Sequence, residues 1–358
     1  MNAKFWNGKK VLVTGHTGFK GSWLCLWLQS MGAEVTGLAL DPPSDPSMFD
    51  MARIADGMNS IKSDVRDLDS VKKIINQHKP EIVIHMAAQA LVHYSYKDPV
   101  STYTTNIIGT MNVLEAIRHC DSVRVVVSIT SDKCYENLEW VWGYRENDRM
   151  GGHDPYSSSK GCAELLISAY RDSYFNPEKY QSHGVALAST RAGNVIGGGD
   201  WSGDRLVPDI IRAIIDDKPV LIRNPNAIRP WQFVMEPLRG YLMLAEKLWE
   251  EGPKYAEGWN FGPDIDEIKP VQWIVEYLTE RWGEGASWVL DKGEHPHEDN
   301  FLKLDTTKAK SILEWNPSLP LPILLDWIVE WYQGYKHNED MRDLTERQIV
   351  RYIKSIQG

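Results

Sequence analysis

Short apolar segments rich in β-branched residues alternate with longer segments of helical spacing through the first half of the chain. The predicted strands cover residues 10–13, 34–40, 81–85, 123–129 and 185–190. The predicted helices cover residues 19–31, 69–78, 101–120 and 155–174. Strands with few polar positions that alternate with helices indicate a parallel sheet covered on both faces. Because such crossovers are right-handed, we expect an α/β fold with a doubly wound, parallel Rossmann sheet.

The second half of the chain has a different pattern. After about residue 195, shorter elements are joined by loops rich in Gly, Pro and Trp. The sequence therefore predicts a Rossmann domain over residues 1–195 and a smaller α/β domain made mainly of residues 196–358. A helical pattern near residues 237–249 is expected to return to the first domain.

Composition and charge exclude several classes of protein. The chain has 358 residues, 42% of them hydrophobic, and a net charge of −10, which disfavours nucleic acid and anionic lipid as partners. No apolar run reaches the roughly 20 residues that span a bilayer, and the N-terminal segment lacks the apolar stretch of a signal peptide. Four cysteines without a CxxC pair are typical of reduced thiols in a cytoplasmic protein.

A glycine-rich loop follows the first predicted strand. The spacing Gly15-x-x-Gly18-x-x-Gly21 lets backbone N–H groups approach a pyrophosphate at a helix N-terminus, although an ordinary glycine-rich turn has the same composition. The candidate cofactor-binding residues of this loop are Gly15, His16, Thr17, Gly18, Phe19, Lys20 and Gly21.

Acidic residues follow the next two strand-like segments. Asp41 comes 20 residues after Gly21, where a carboxylate binds ribose hydroxyls and repels a 2′-phosphate, so it favours NAD over NADP. Alternatively, Asp41 simply starts the Asp-Pro-Pro turn. Asp64 and Val65 are candidates for the edge of the adenine, or ordinary loop residues.

A tyrosine and a lysine lie four residues apart at the start of a predicted helix. Tyr156 and Lys160 therefore share one helix face, and a nearby ammonium stabilises a phenolate that acts as a general base. The strand over 123–129 runs into Thr130, Ser131, Asp132 and Lys133. Ligands of doubly wound sheets bind beyond the carboxyl ends of strands, so this cluster is expected at the same site.

Together these motifs resemble the extended short-chain dehydrogenase/reductases, and among them the sugar-nucleotide 4,6-dehydratases. The resemblance also covers segments further along the chain: His85-Met-Ala-Ala88, Asn106, Arg191-Ala-Gly-Asn194, Asn260-Phe-Gly-Pro263 and Leu304-Asp-Thr-Thr-Lys308. Where the dTDP-glucose branch carries Thr-Asp-Glu, this chain has Ser131-Asp132-Lys133, which is similar to the CDP-glucose branch. The resemblance implies NAD as cofactor, with further contacts from Ala87, Ala88, Asn106, Thr130, Tyr156 and Lys160.

The activity implied by this resemblance is that of a hydro-lyase in the synthesis of deoxysugars for O-antigen. Its implied catalytic residues are Ser131, Asp132, Lys133, Tyr156 and Lys160. Tyr156 would take the 4-hydroxyl proton, Lys133 the C5 proton, and Asp132 would protonate the departing 6-hydroxyl. The alternative for Asp132 and Lys133 is a surface ion pair. Ser131 and Thr130 are candidates to bind the 4-oxygen, with one of them structural, and Tyr135 is expected to pack in the turn.

Binding of a sugar diphosphate by an acidic protein requires a local basic pocket. The candidate substrate-binding residues are Asn194, Arg205, Arg223, Arg229 and His295. Arginine suits bidentate phosphate contacts, although each arginine alone also fits a surface ion pair. His295 and His297, together with Glu298, suggest metal ligands. A third ligand at a suitable spacing is missing, so no metal site is predicted.

Two alternatives to CDP-glucose dehydration stay open. One is a 4,6-dehydratase of UDP-N-acetylglucosamine or another nucleotide sugar, and the other is a Rossmann protein that senses nucleotides without catalysis. The resemblance also implies a homodimer or a dimer of dimers, paired through the helices over 101–120 and 155–174. The residues expected to supply its apolar surface are Ala116, Cys120, Leu165, Ile167 and Ala169.

Overall fold

The computed structural model describes residues 2–264, 268–291, 293 and 302–357. Its strands are β1 Lys10–Thr14, β2 Glu34–Ala39, β3 Asn59–Lys62, β4 Ile82–His85, β5 Val125–Ile129, β6 Ala186–Ala192, β7 Val195–Ile196, β8 Val220–Ile222, β9 Ile228–Arg229, β10 Gln232–Phe233, β11 Gly258–Phe261, β12 Lys269–Pro270 and β13 Trp288–Leu290. Within these residues, no helix is both long enough and apolar enough to cross a membrane.

The helices alternate with the strands in the first half and predominate near the C-terminus. They are α1 Ala3–Trp6, α2 Phe19–Ser30, α3 Met48–Met51, α4 Leu68–His78, α5 Val92–Lys97, α6 Pro99–Tyr103, α7 Thr110–Arg118, α8 Pro155–Ser173, α9 Tyr180–His183, α10 Leu206–Ile215, α11 Met235–Glu251, α12 Val271–Trp282, α13 Thr307–Ile312, α14 Leu321–Lys336 and α15 Met341–Ser355. A π-helical turn, Thr104–Gly109, joins α6 to α7, and a 3₁₀ turn, Asp132–Cys134, follows β5.

Seven strands form one parallel sheet in the order β11-β6-β5-β4-β1-β2-β3. The direction in which the sheet grows reverses between β1 and β4, so the carboxyl ends of these two neighbours border a crevice. This arrangement confirms the predicted doubly wound Rossmann sheet.

Side-chain alternation along the strands places one large apolar cluster on each face of the sheet. On β1, Val11 and Val13 face one cluster and Leu12 faces the other, as the two-residue period of a strand requires. Every residue of β4, β5 and β6 is buried. Burial on both faces explains why these strands are almost continuously apolar in the sequence.

The second half of the chain also contributes to the sheet. The predicted helix near 237–249 is α11, which packs against β5 and β6. The strand β11 pairs with β6 at the sheet edge, an addition that the sequence analysis missed. Three two-stranded sheets, β7–β10, β8–β13 and β9–β12, lie outside the main sheet. The boundary at residue 195 remains a prediction.

Some of the residues expected to form a dimer surface are buried inside the chain. Ala116 and Ile167 are 2% and 0% exposed and belong to the core, so their predicted role as dimer surface is wrong. Their helical positions face the sheet of their own chain. Cys120 is half-buried against the same core. Leu165, by contrast, is 61% exposed, and Ala169 is also exposed.

Candidate active site

The glycine-rich loop connects β1 to α2 at the crevice. Gly15 has φ of +74°, and a Cβ there would lie 2.8 Å from the Ala87 backbone, so the turn and its close approach to the β4 loop require glycine. A Cβ on Gly21 would overlap the Gly15 carbonyl. Gly18 is the N-cap of α2, and its Cβ position meets only the Gly15 carbonyl, at 3.4 Å. The N-terminus of α2 therefore lies at the glycine-rich loop, with no bulky side chain at Gly18 to block a pyrophosphate.

Side chains of the loop bind protein groups that shape it. The His16 ring fills the space that a side chain at Gly37 would occupy, and its Nε2 lies 2.8 Å from the Ser60 hydroxyl. Burial lowers the pKa of His16 to about 4, so the ring is neutral at physiological pH. The Thr17 hydroxyl donates to the Leu40 carbonyl at 3.0 Å, and Phe19 packs against the core.

The acidic candidates occupy the ends of β2 and β3. Asp41 forms an ion pair with Lys62, which places a cation beside the predicted ribose-binding carboxylate. Asp64 binds the Arg66 guanidinium at 2.6 Å, and this hydrogen bonding lowers the pKa of Asp64. Val65 is buried in the core.

Hydrogen bonds fix the loop after β4. The Thr14 hydroxyl contacts His85 Nδ1 at 2.7 Å and accepts from the backbone N–H of Ala87 at 3.1 Å. The Asn106 amide donates to the Gln89 carbonyl at 3.0 Å and to Ser159 at 2.8 Å. Asn106 thus joins the loop that contains Ala88 to α8, and its predicted contact with the cofactor remains a prediction.

Tyr156 and Lys160 lie on the first turns of α8, beneath the carboxyl ends of the strands. The Asp154 carboxylate caps this helix by accepting from the Ser157 N–H at 2.9 Å. Burial raises the pKa of Tyr156 to about 12, an effect that a hydrogen bond with Ser131 opposes. Burial also lowers the pKa of Lys160 to about 8, opposed by Glu164. In the chain itself, therefore, burial disfavours the phenolate that the sequence analysis expects.

The Ser131–Lys133 cluster follows β5 directly and faces Tyr156. The Ser131 hydroxyl donates to Asp132 Oδ1 at 3.0 Å and accepts from the Lys133 N–H at 3.2 Å. Asp132 is 4% exposed, which excludes a surface ion pair for this carboxylate, and Lys133 is half-buried. The Thr130 hydroxyl donates to the buried Glu164, so Thr130 is the structural member of the cluster.

The Asp132 carboxylate lies against a glycine and a small cavity. A Cβ on Gly193 would overlap this carboxylate, so glycine makes room for it. The cavity has a volume of about 10 Å³ and is lined by Asp132, Gly193, Pro230, Gln232, Gly262, Pro263, Ile268, Lys303 and Leu304. The sequence analysis missed Gln232 and Lys303, which carry no motif and reach Asp132 only through the tertiary fold.

A buried network of hydrogen bonds around Glu164 and Arg191 lies next to the catalytic candidates. Glu164 accepts from the Ser189 hydroxyl and from Arg191 at 2.8 Å each. Burial alone would raise the pKa of Glu164, but Arg191 and the hydrogen bonds hold it below its ordinary value. Arg191 also donates to the Tyr135 hydroxyl at 2.5 Å, and Tyr135 is buried in the turn as expected. The sequence analysis missed Glu164, although its four-residue spacing from Lys160 was a usable signal.

A second lysine reaches the catalytic cluster from the glycine-rich loop. Lys20 Nζ donates to the Tyr241 hydroxyl at 3.3 Å. Burial, Lys160 and Arg205 lower the pKa of Lys20 to about 7, whereas Asp132 raises it. Lys20, which the sequence analysis lists as a cofactor-binding candidate, therefore also interacts through its charge with Lys160, Arg205 and Asp132.

Only some of the predicted substrate-binding residues lie close to the catalytic candidates. Arg205 lies near Tyr156 and acts on its pKa, and it pairs with Asp200 at 3.3 Å. Arg223 pairs with Asp204 at 3.7 Å. Arg229 precedes Pro230 of the cavity, and Asn194 has φ of +48°, directly after Gly193. His295 lies outside the described residues.

Both the fold and the sequence of this chain match a known family of enzymes. A doubly wound sheet with a glycine-rich loop and a Tyr-x-x-x-Lys helix is the architecture of the extended short-chain dehydrogenase/reductases. Residues 12–326 match the GDP-mannose 4,6 dehydratase family, and the chain belongs to this family. A UDP-glucuronic acid 4-epimerase from Bacillus cereus shares the fold, with a TM-score of 0.78, 23% identity and coverage of 91% of this chain and 99% of the other.

Two curated relatives are dehydratases. The chain is 54% identical over 355 residues to the CDP-glucose 4,6-dehydratase of Salmonella typhimurium, which covers 99% of each chain. It is 25% identical to a dTDP-glucose 4,6-dehydratase of Xanthomonas campestris, over 90% of this chain and 92% of the relative. A solved dTDP-glucose 4,6-dehydratase from Streptomyces venezuelae with NAD bound shares the fold, with a TM-score of 0.75, 20% identity and coverage of 93% and 99% of the two chains.

Proposed function

We propose that this protein is a hydro-lyase that converts CDP-glucose into its 4-keto-6-deoxy derivative by removal of water. The observation that carries this proposal is the buried Asp132, next to Lys133 and opposite Tyr156. Elimination of water needs an acid and a base beyond the tyrosine that serves oxidation. Identity of 54% with the Salmonella CDP-glucose enzyme supports CDP-glucose as the substrate.

The glycine-rich loop and its surroundings fit NAD. The glycine-rich loop at the start of α2 would hold the pyrophosphate, Asp41 the adenosine ribose, and Lys160 the nicotinamide ribose. Bound NAD would supply the hydride acceptor for C4 of the sugar and then the hydride donor for C6, so the reaction would need no external oxidant.

The side chains of this chain then move the protons. Tyr156 accepts the proton of the 4-hydroxyl during oxidation, assisted by the Lys160 charge. The resulting C4 ketone acidifies the C5 proton, which Lys133 removes. Asp132 protonates the 6-hydroxyl as it leaves. Lys133 finally returns its proton to C5.

The second half of the chain would bind the diphosphate of the sugar nucleotide. We assign Asn194, Arg205, Arg223 and Arg229 to it, because guanidinium groups supply the positive charge that a protein of net charge −10 otherwise lacks. Residues 196–358 accordingly form most of the substrate-binding part. Arg205 lies near Tyr156 and is placed to contact the phosphate nearest the sugar.

The oligomer and the location are further parts of the proposal. Exposed apolar residues on the π-helical turn and α8, Ile108 at 40% and Leu165 at 61%, support a homodimer through these helices. Neither Ala116 nor Ile167 belongs to that surface. The reduced cysteines support a cytoplasmic enzyme.

The decisive experiment compares sugar nucleotides. Purified protein with catalytic NAD is mixed with CDP-, dTDP-, GDP- and UDP-glucose and with UDP-N-acetylglucosamine, and the 4-keto product is measured. We expect product from CDP-glucose and no net accumulation of reduced cofactor. Preference for another nucleotide would reject the substrate, and accumulation of reduced cofactor in proportion to product would reject dehydration.

A variant tests the elimination base. Lys133→Ala is expected to oxidise C4 but to block exchange of the C5 proton with deuterium in D₂O. Tyr156→Phe is the matched control and should block both, because no ketone forms. If Lys133→Ala exchanges C5 at the wild-type rate, another group is the base.

A further inference from the structure

The proposed reaction leaves one buried polar side chain beside the catalytic acid without a role, that of Gln232. This residue begins β10, which pairs with β7, and it is 2% exposed. Its Nε2 donates to the Gly193 carbonyl at 2.9 Å and to the Phe261 carbonyl at 3.2 Å. A carbonyl accepts only from a donor, so these two bonds fix which end of the amide is nitrogen and which is oxygen.

The oxygen of this amide is available to the cavity beside Asp132. Gln232 lines that cavity, and within the described part of the chain its Oε1 has no hydrogen-bond partner. A buried carbonyl oxygen without a partner is unfavourable, so Oε1 requires a donor on a bound molecule. The cavity volume of about 10 Å³ suits one water-sized group.

Asp132 supplies a second polar group to the same cavity. Its Oδ1 accepts from the Ser131 hydroxyl at 3.0 Å, whereas Oδ2 is the oxygen that a Cβ on Gly193 would overlap most closely. The Gly193 carbonyl in turn accepts from Gln232, so the carboxylate and the amide both contact this one glycine. In a cavity of this size, both groups can reach a single bound oxygen atom.

The chemistry of the leaving group requires two such contacts at once. A hydroxyl has one donor and two acceptor positions. For O6 to leave as water, one of its lone pairs must accept the proton of Asp132, while its own hydrogen keeps an acceptor. Asp132 in its acid form is the donor, and Gln232 Oε1 is an acceptor lining the same cavity.

We propose that Gln232 binds the 6-hydroxyl of the sugar through Oε1, and that the cavity beside Asp132 receives the water that leaves. This inference rests on the proposed function. It adds a catalytic residue from the second half of the chain, one that holds the leaving oxygen while Asp132 protonates it.

The atoms and electrons of the step balance. Lys133 has removed the C5 proton, and the electron pair left at C5 forms the C5–C6 double bond. The Asp132 O–H bond breaks, its proton bonds to O6, and the C6–O6 bond breaks with its electron pair on oxygen. The new water has two hydrogens and faces two acceptors, Gln232 Oε1 and the Asp132 carboxylate. Solvent restores the proton of Asp132 between turnovers.

The test compares three substrates that differ only at C6. CDP-glucose carries a hydroxyl there, CDP-6-deoxy-6-fluoroglucose a fluorine, and CDP-6-deoxyglucose only hydrogen. Fluoride has no hydrogen to donate and leaves without a proton from Asp132, and its loss gives the same 4-keto-6-deoxy product. The rate of product formation is measured for the first two substrates, and the rate of cofactor reduction by absorbance for the third.

Gln232→Met keeps the length of the side chain and removes the acceptor. Its rate with CDP-glucose should fall about 10- to 100-fold, the loss expected when a buried hydrogen bond to a reacting group is removed. Its rates with the fluorinated and the 6-deoxy substrate should stay within about threefold of the wild type, because neither has a 6-hydroxyl. Damage to the fold or to cofactor binding would lower all three rates.

Gln232→Glu separates binding of O6 from support of the backbone. It keeps an acceptor oxygen but loses the amide donors to Gly193 and Phe261, as Gln232→Met does, and it should retain at least about threefold more activity on CDP-glucose than Gln232→Met. Gly262→Ala is the matched cavity control. Its Cβ would lie nearest to Thr306 and Leu304, at 3.6 and 3.7 Å, so all three rates should stay within about threefold.

A crystal structure of the wild type with NAD and the 4-keto-6-deoxy product gives a measurement that no variant affects. It should show one water molecule within hydrogen-bond distance of both Gln232 Oε1 and the Asp132 carboxylate. A product complex without this water would overturn the proposal, even if neither Gln232 variant folds.

Three kinetic results would also overturn it. These are a wild-type rate of Gln232→Met on CDP-glucose, equal losses of this variant on CDP-glucose and on the fluorinated substrate, and equal losses in Gln232→Met and Gln232→Glu. Failure of the proposed function looks different, because the wild type would then form no 4-keto product from CDP-glucose.

Discussion

Gly193 offers a sharp test of how the Asp132 carboxylate is placed. An alanine there would put its Cβ inside the Asp132 carboxyl group, and even the farther oxygen, Oδ1, would be only 2.7 Å away. That oxygen also accepts the Ser131 hydrogen bond. Because Gly193 does not have positive φ, alanine causes no backbone strain, and the perturbation is confined to the carboxylate.

The expected effect on activity is much larger than the effect on stability. The carboxylate must rotate away from both Ser131 and the 6-hydroxyl, and loss of a general acid costs about 10²–10⁴-fold in rate. Because the overlapped atoms are the end of a side chain, the cost in free energy of unfolding should stay near the lower end of the ~1–3 kcal/mol typical of overpacking. Gly193→Ala should therefore fold and bind NAD, yet lose at least about 100-fold in kcat.

Gly262 provides the matched control, since it lines the same cavity. A Cβ on Gly262 would lie 3.6 Å from Thr306 and 3.7 Å from Leu304, which is ordinary contact, so Gly262→Ala should keep kcat within about threefold, the scale of a tolerated small packing change. The assay is 4-keto product formation from CDP-glucose, with thermal unfolding measured in parallel. Equal losses in the two variants, or a Gly193→Ala enzyme with nearly wild-type kcat, would show that this contact does not place the acid.

Three further predictions follow from the site and its surroundings. Asp41→Ala should improve NADP binding relative to NAD by at least about tenfold, because it removes a repulsive charge and frees Lys62. Kd values for both cofactors on cofactor-stripped protein check this prediction. Lys62→Ala is expected to change the ratio of the NADP and NAD Kd values in the opposite direction. Burial and Lys160 lower the pKa of His85 from 6.5 to about 3. Between these pH values the unfolded chain binds a proton at His85 and the folded chain does not. The free energy of unfolding therefore falls as the pH decreases through this window. His85→Gln should reduce that slope by about 1.4 kcal/mol per pH unit, and an unchanged slope in denaturant titrations would contradict the assignment. Leu165→Glu should dissociate the proposed dimer in light scattering, whereas Leu221→Glu, at a residue that is 64% exposed elsewhere, should leave its mass unchanged.

The sequence by itself determined the features that depend on local pattern. Apolar runs and helical spacing predicted the sheet, because burial on both faces removes polar residues from β4, β5 and β6. The Gly15–Gly21 spacing and the Tyr156–Lys160 spacing are local too, since one turn or one helix face defines each. The Ser131–Lys133 cluster was located because strand ends of a parallel sheet share one edge.

Tertiary structure alone decided which partners each side chain meets. Thr130 and Ser131 are adjacent in sequence, yet one hydroxyl binds the buried Glu164 and the other binds Asp132. Ala116 and Leu165 read alike as apolar helical residues, and only packing buries the first and exposes the second. Lys303 comes to the cavity beside Asp132 from 171 residues away (303 minus 132), and no local pattern records such a contact. The physical reason is that secondary structure follows from periodicity over a few residues, whereas burial, charge pairing and pKa depend on contacts between segments distant in sequence.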